Sequence, residues 1–539
     1  MTDTSRTTSR ILLGDEAVAL GALHAGIVAA YSYPGTPSTE IMEAIQAAAP
    51  EGVAAHWTAN EKTAYEAALG ASMVGRRALV SMKHVGLNVA ADPFVNSALV
   101  EIGGGLVVAV ADDPGMHSSQ NEQDSRFLAD FARIVCLEPA SPQEAYEMTR
   151  EAFEVSERFH IPVLIRLVTR ICHSRELVET APPIEPRATA KPASAADWTL
   201  LPGNARRLWR RLLDAQGDLA DWSEGSGHST LRLSDDDRGL GVITAGIGRN
   251  HYLENLPDLG YTPSHLHIGA YPVPAWTIRR LAERVERILV IEEGYPFVER
   301  SLAGVLPIRW EVDGKASGAL PADGELTPDS VRAALGLPAR PRVRLGDMEL
   351  PARPPQLCKG CPHGDSYAAV LAALEGFDTS VVTADIGCYT LGALPPYRAI
   401  ESCVCMGASI GMAKGASDAG LRPALAVIGD STFLHSGITP LIDAVAHDTN
   451  MTVLVLDNAT VGMTGQQPTV LPESRLEPLI AGLGVDPEHL HVIEITPRRV
   501  DDLAGLLRRE LDHPGLSVVV AVRECIESAK DRRRRERES

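Results

Sequence analysis

The chain has 539 residues and a formal net charge of −20, with 45% hydrophobic and 22% charged residues, 46 Gly and 37 Pro. At roughly 150 residues per domain this is room for three to four domains with large cores. The acid excess argues against a general nucleic-acid binder, which carries a basic face, and the glycine and proline content argues against a coiled coil.

No apolar run reaches the roughly 18 residues of a membrane span, so no membrane association is expected. The apolar stretch Ala17–Ala30 follows Asp15 and Glu16 and contains His24, whereas a secretory signal needs positive charge at that point; it reads as a buried helix of a cytoplasmic protein. Strands are then expected at Val28–Tyr33, Ala78–Met82, Leu106–Ala111, Ile134–Leu137 and Pro162–Leu167, with helices at Glu61–Val74 and Pro142–Phe159. That alternation predicts βα units on a mainly parallel sheet. Residues 176–236 are rich in Pro, Ala, Ser and Asp and read as a linker with some helix, amphipathic around Ala205–Leu213. A second α/β stretch carries strands at Val242–Thr244, Leu266–Ile268 and Ile288–Ile291. Gly246-Ile-Gly248 follows the first of these, either as a structural turn or as a partial ligand loop, with His251 where a third glycine would stand. The Pro-rich, charged region Pro321–Pro355 reads as a boundary. A third α/β stretch, from about residue 356 to 525, has strands at Ser380–Ala384, Ala424–Ile428, Met451–Leu456 and Leu516–Val522. The tail Lys530–Ser539, with four consecutive Arg, reads as a solvated, disordered end.

The sharpest pattern lies in the third stretch. A buried strand ends in Gly429-Asp430-Ser431, a helical segment Gly437–Ala446 follows, and a second buried strand ends in Asp457-Asn458-Ala459-Thr460. Asp430 and Asn458, 28 positions apart, thus sit at the carboxyl ends of two strands, where open α/β sheets bind ligands. A carboxylate, an amide oxygen and a backbone carbonyl near Thr460 form the hard oxygen set that suits Mg²⁺, and such a metal grips a diphosphate with the help of backbone N–H groups. Each of these residues alone also fits an ordinary turn after a strand. Together they look like a thiamine diphosphate signature, with Gly429, Ser431, Gly462 and Met463 in the cofactor-binding loops. Thiamine chemistry needs a second carboxylate, on another domain, to hydrogen-bond the aminopyrimidine. Glu61 in Thr58-Ala-Asn60-Glu61, where a strand gives way to an Ala-rich helix, is the candidate; the alternative is a first-turn Glu favoured by the helix dipole.

With these parts in hand the sequence resembles the alpha subunit of indolepyruvate ferredoxin oxidoreductase, in the wider 2-oxoacid:ferredoxin oxidoreductase family. The matching segments, in family order, are Tyr33–Ile41, Ala59–Ala64, Lys83–Asn88, Cys358-Lys-Gly-Cys-Pro-His363, Asp385–Gly392, Cys405–Gly411 and Asp457–Gln467. The resemblance implies an α/β fold in which two thiamine diphosphate-binding-type domains with mainly parallel sheets flank a smaller α/β domain. The divisions are 1–175 (pyrimidine-binding type), 176–236 (linker), 237–345 (transketolase C-terminal-like), 356–528 (diphosphate-binding type) and 529–539 (charged tail). It implies that Glu61 activates the cofactor and that the Tyr33–Thr39 loop approaches the reacting centre. Thr36 there can cap a helix with Pro37 at its first position, leaving N–H groups and a hydroxyl toward a ligand. Lys83, His84 and Asn88 follow a strand end and are candidates for a substrate carboxylate.

Eight Cys in this length make no disulfide framework. Cys358, Cys361, Cys388 and Cys525 occur in an order compatible with a [4Fe–4S] cluster, and three readings stay open: the cluster, a Cys₄ zinc site, or unliganded thiols. Cys403 and Cys405 are expected to pack in the helix leading to Gly411. The expected reaction is oxidative decarboxylation of an arylpyruvate-like 2-oxo acid to the acyl-coenzyme A, through an enamine of thiamine diphosphate, with electrons passing to an iron–sulfur acceptor. A smaller beta (gamma-type) subunit, ferredoxin or another acceptor, and a dimer or higher oligomer are implied. Three departures from the family are visible: no cysteine-dense ferredoxin-like run follows, Lys359 replaces a usual Pro, and Gly364 replaces a usual Arg. The first leaves open a non-oxidative 2-oxoacid decarboxylase or carboligase. A non-catalytic subunit is opposed by the presence of Glu61, Asp430 and Asn458.

Overall fold

A computed structural model describes residues 8–305, 311–341, 355–472 and 475–538. The chain divides into two compact units, Met1–Arg344 and Leu345–Ser539. Part of the expected boundary Pro321–Pro355, residues 342–354, lies outside the described residues, as does Ser539 of the tail.

The first unit holds two principal sheets. The larger has seven strands in the order Ala270–Tyr271, Val135–Leu137, Val163–Val168, Leu106–Asp112, Ala78–Lys83, Ala29–Ser32, Ala54–Trp57, all parallel except the first. Ala78–Lys83 and Leu106–Asp112 are buried at every position, which is why they read as continuous apolar runs. The edge strand Ala54–Trp57 is short and half-buried and gave no such run. The second sheet runs Glu311–Asp313, Arg287–Ile291, Leu240–Ala245, Ser264–Ile268, Thr230–Arg232, with only the last antiparallel. One apolar core continues from the first sheet into the second.

Four local features differ from the sequence expectation or refine it. The N-terminal helix is Gly14–His24, and a strand follows at Ala29; Gly26, at φ +72°, ends the helix in the left-handed conformation that glycine adopts at little cost. Residues 176–236 carry helices Pro202–Asp214 and Gln216–Gly225, with Leu208, Leu212 and Leu219 buried, while Arg175–Thr180 pairs antiparallel with Thr8–Leu13. The Gly246 loop is packed by protein: a Cβ on Gly246 would lie 2.5 Å from Glu138 Oε1, and one on Gly248 would lie 2.4 Å from the Ile291 carbonyl oxygen. The tail, expected to be disordered, is the end of a helix, Ile526–Glu538. Its charges alternate so that Lys530–Glu527, Arg534–Asp531 and Arg532–Glu536 pair at helical spacing.

The second unit is built on a six-stranded, wholly parallel sheet in the order Ser402–Cys403, Val381–Ala384, Ala424–Gly429, Met451–Asp457, Leu516–Val522, Leu490–Glu494, with a small antiparallel ribbon of Thr460–Val461 and Gln467–Pro468 beside it in the chain. Separate apolar clusters cover its two faces. Among the described residues, no helix is long and apolar enough to cross a membrane.

Candidate active site

In the second unit, Ala424–Gly429 and Met451–Asp457 are adjacent central strands in register, Gly429 beside Leu456, so their carboxyl ends release Asp430 and Asp457–Thr460 side by side. Asp430 is buried. Its Oδ1 accepts from Ser431 N at 2.8 Å and its Oδ2 from Ala459 N at 2.9 Å. Burial, and then the facing carboxyl of Asp457, push its pKa well up; Asp457 is raised by burial as well. Two buried carboxyls this close favour a bound cation between their charges. Asn458 Oδ1 accepts from Thr460 N at 3.1 Å, and its Nδ2 lies 3.3 Å from His363 Nε2. Burial lowers His363 to about 4, so that ring is neutral. Thr460 Oγ1 donates to the Gln467 carbonyl at 3.2 Å, closing a small hairpin. A Cβ on Gly429 would stand 2.7 Å from Tyr389 Cε1 and one on Gly462 3.1 Å from Cys388 Sγ, so both glycines sit where side chains have no room. Ser431 is half-buried, and Met463 is 56% exposed. Asp385, at another strand end, accepts from Ser409 Oγ at 2.6 Å and from the Tyr389 hydroxyl; burial raises it to about 6. The oxygen donors and the crowded glycines fit a metal-bound diphosphate.

Four thiols gather beside these loops. Cys525 N donates to the Asn458 carbonyl at 3.3 Å, and Cys361 N to the Cys358 carbonyl at 3.0 Å. Cys388 is pushed up to about 12, by burial first and then by Cys361, Cys525 and Cys358; Cys361 is raised by burial, Cys358 and Cys525. The four are therefore electrostatic neighbours although far apart in sequence. Among the described residues, no three His, Cys, Asp or Glu side chains stand at the spacing of a single bound ion. Cys403 and Cys405, expected to pack in a helix, are exposed ahead of it: the helix begins at Ala408, after Gly407 turns the chain at φ +81°.

In the first unit, the carboxyl ends of central strands again gather polar groups. Lys83 ends Ala78–Lys83 and is 7% exposed; its Nζ donates to the Ser118 carbonyl at 2.6 Å. Burial lowers it to about 8, with Asp113 opposing. Ser118 Oγ donates to the Thr36 carbonyl at 3.1 Å, so Lys83 and the Thr36 loop are brought together. Thr36 does not cap a helix. Ser38 N and Oγ both bond the Gly35 carbonyl, at 2.9 and 2.8 Å, closing a turn that contains Pro37, and the helix starts at Thr39 with Ser38 in the capping position. His84 is buried, with Nε2 3.2 Å from the Asn121 carbonyl. Asn88 is exposed, and no side-chain hydrogen bond joins it to Lys83 or His84. Glu61 is 5% exposed at the start of helix Glu61–Met73, behind Asn60, whose side chain accepts from Thr63 N at 2.8 Å. Gly86 lies directly against it: a Cβ there would be 2.6 Å from Glu61 Cγ and Oε1.

Sequence reading assigned no role to Asp457, His363, Asp385, Gly86 or Ser118. Asp457 and Asp385 carried a usable signal, an acid at a strand end; Gly86 and Ser118 carried none, because their importance lies in what they touch.

Residues 20–202 match the family model of pyruvate flavodoxin/ferredoxin oxidoreductase, thiamine diphosphate-binding, and residues 385–521 match that of the C-terminal TPP-binding domain of thiamine pyrophosphate enzymes. With the strand-end acids of the second unit, these matches define a thiamine diphosphate-binding enzyme of the 2-oxoacid oxidoreductase class. The chain is 36% identical to "Indolepyruvate oxidoreductase subunit IorA" of Archaeoglobus fulgidus, over 97% of this chain and 88% of that protein. It is 38% identical to the protein of the same name from Methanothermobacter thermautotrophicus, over 96% and 87%. It belongs to the indolepyruvate oxidoreductase subunit IorA family. The structure of 2-oxoglutarate:ferredoxin oxidoreductase from Magnetococcus marinus is similar at a TM-score of 0.47 and 16% identity, over 57% of this chain and 62% of that one.

Proposed function

We propose that the chain is the thiamine diphosphate-binding subunit of a cytoplasmic enzyme that oxidatively decarboxylates an arylpyruvate-like 2-oxo acid to its acyl-coenzyme A, passing electrons to a ferredoxin-type acceptor. The observation that carries this reading is the pairing of Asp430 with Asp457–Thr460 on neighbouring strand ends, in a chain whose relatives are indolepyruvate oxidoreductase subunits. A smaller partner subunit completes the enzyme, which is a dimer or higher oligomer.

When bound, the cofactor supplies the electron sink that lets the carbon–carboxylate bond break. Asp430, Asn458 and the Thr460 carbonyl hold Mg²⁺, and the backbone at Gly429, Ser431, Gly462 and Met463 lines the diphosphate. Glu61, buried at the start of its helix, would share a proton with the aminopyrimidine ring. Thr36 orients the loop beside the reacting carbon. Lys83, with its amine near 8, is mainly charged at neutral pH and pairs with the substrate carboxylate, together with His84 and Asn88. Cys358, Cys361, Cys388 and Cys525 hold a [4Fe–4S] cluster. What supports this reading is that the four thiols are electrostatic neighbours, as a shared cluster needs.

The test is anaerobic assembly with the partner subunit, followed by indolepyruvate, coenzyme A and an electron-accepting dye. CO₂ release that needs both acceptor and coenzyme A, in a protein holding about four irons per chain, is expected. Acceptor-independent CO₂ release from an iron-free protein would establish the non-oxidative decarboxylase instead. Asp430→Ala should abolish Mg²⁺-dependent cofactor binding in calorimetry; unchanged affinity removes Asp430 from the metal site.

A further inference from the structure

The helix Ile526–Glu538 grows directly out of Cys525, with Ala529 N donating to the Cys525 carbonyl at 2.9 Å. Lys530, Arg533, Arg534 and Arg537 recur at helical spacing and form one basic stripe. The stripe begins beside the thiols: Lys530 lies within electrostatic reach of Cys358 and Cys525. Cys358 is exposed, and so is its neighbour Lys359. Arg523, on the strand end leading to Cys525, reaches across to the Gly360 carbonyl at 3.4 Å, tying the Cys358–Cys361 loop to the same place. Acids partly offset this charge, since Lys530 pairs with Glu527, Arg534 with Asp531 and Arg532 with Glu524. Arg533, Arg537 and Lys359, all exposed, make no ion pair among the described residues, although Arg533 lies within electrostatic reach of Glu524. A chain of net charge −20 thus presents cations beside Cys358, the most exposed member of the thiol quartet.

We propose that this basic helix and the exposed Cys358–Lys359 loop form the docking surface for an acidic, ferredoxin-type one-electron carrier. The proposal rests on the function given above and adds where the carrier binds. The chain's net charge of −20 opposes the approach of such a carrier as a whole, and complementary charge at this stripe draws it toward the exposed Cys358. The balance is complete with the carrier as oxidant. One 2-oxo acid and one coenzyme A give one acyl-coenzyme A, one CO₂ and one proton, and the two electrons released reduce two oxidised carriers.

The test compares wild type with the double variant Arg533→Glu/Arg537→Glu, each as the full chain loaded with cofactor and assembled with its partner subunit. Acceptors are an acidic bacterial ferredoxin and methyl viologen, a small cationic dye that needs no basic surface. The expected result is a KM for ferredoxin raised about tenfold or more in the variant, with the dye rate unchanged, and a wild-type ferredoxin KM that rises with salt. A ferredoxin KM insensitive to the reversal, or to salt in the wild type, overturns the proposal. Should charge reversal also lower the dye rate, Arg533→Gln/Arg537→Gln decides: an unchanged ferredoxin KM in that pair overturns it. So does unchanged ferredoxin kinetics alongside lost binding to RNA or anionic vesicles, which would assign the stripe to those partners. Failure of the wild type to reduce even the dye with indolepyruvate rejects the parent function, and is thereby distinct.

Discussion

Gly86 leaves open the space that the Glu61 carboxyl occupies. An added methyl at Gly86 would meet Glu61 Cγ and Oε1 at 2.6 Å, and the carboxyl, as the movable end, must turn away. Glu61→Gln is expected to slow exchange of the cofactor's thiazolium C2 proton by about a hundredfold or more while leaving cofactor affinity nearly intact, because an amide cannot share the proton. Gly86→Ala should slow the same exchange by about tenfold, again with affinity retained. NMR-detected exchange in the two variants checks both. A wild-type rate in Glu61→Gln removes Glu61 from catalysis; a slow Glu61→Gln with a wild-type rate in Gly86→Ala leaves Glu61 its role and denies Gly86 any part in placing it. Glu61 itself was legible in the sequence as an acid between a strand and an Ala-rich helix. Gly86 was not, since a glycine whose task is to leave space for a distant side chain has no local signature. Thr36 shows the converse failure: Thr-Pro reads locally as a helix start, but Ser38 closes a turn on Gly35 and moves the start to Thr39.

At the scale of elements, the strand ends concentrate the cost of burying charge. Glu293, just past the strand Arg287–Ile291, is buried, with Oε1 accepting from Leu326 N at 2.9 Å and Oε2 lacking a hydrogen-bond partner. Burial raises it to about 7. Between the ordinary carboxylate value and 7 the unfolded chain has released this proton and the folded chain still holds it, so stability falls as pH rises through that window, by on the order of 3 kcal/mol. Glu293→Gln, which keeps the acceptor for Leu326, should raise the Tm at pH 8 and change it little at pH 5; an equal shift at both values in pH-resolved calorimetry would show that the carboxyl's charge is not the cause. Central strands were the most legible elements, because parallel strands covered on both faces are apolar throughout, as in Leu106–Asp112. The edge strand Ala54–Trp57 and the ribbon of Thr8–Leu13 with Arg175–Thr180 were not, because half-exposed strands mix polar and apolar residues. The Arg-rich tail was misread for a related reason: its composition resembles a solvated coil, while its spacing satisfies a helix.

On the whole-molecule scale, each of the two units has its own apolar cores, Ile165 and Leu266 sharing one in the first, Val427 and Leu454 meeting in another in the second. Separate cores allow separate transitions. Thiamine diphosphate with Mg²⁺, present at 100 times its Kd, should stabilise the second unit by about 2.7 kcal/mol, and a chelator should reverse the shift. Calorimetry that shows no chelator-sensitive change would remove the metal from the binding scheme. The general layout of parallel α/β units was readable from alternating strand and helix patterns. The gathering of Cys358, Cys361, Cys388 and Cys525 was expected only by resemblance, since no local rule brings residues so distant in the chain together.

The Gly246 loop has a consequence for evolution and for signalling. A glycine turn after a parallel strand, opening a helix, is where many proteins of this architecture seat a diffusible nucleotide. Here the Glu138 carboxylate, fixed by Arg166 and the Tyr271 hydroxyl, lies against the loop as part of the same chain. A resident that is covalently tethered is present at an effective concentration no cellular metabolite need match. A nucleotide entering at this turn would have to evict Glu138 and leave Arg166 and Tyr271 to find new partners in the same step.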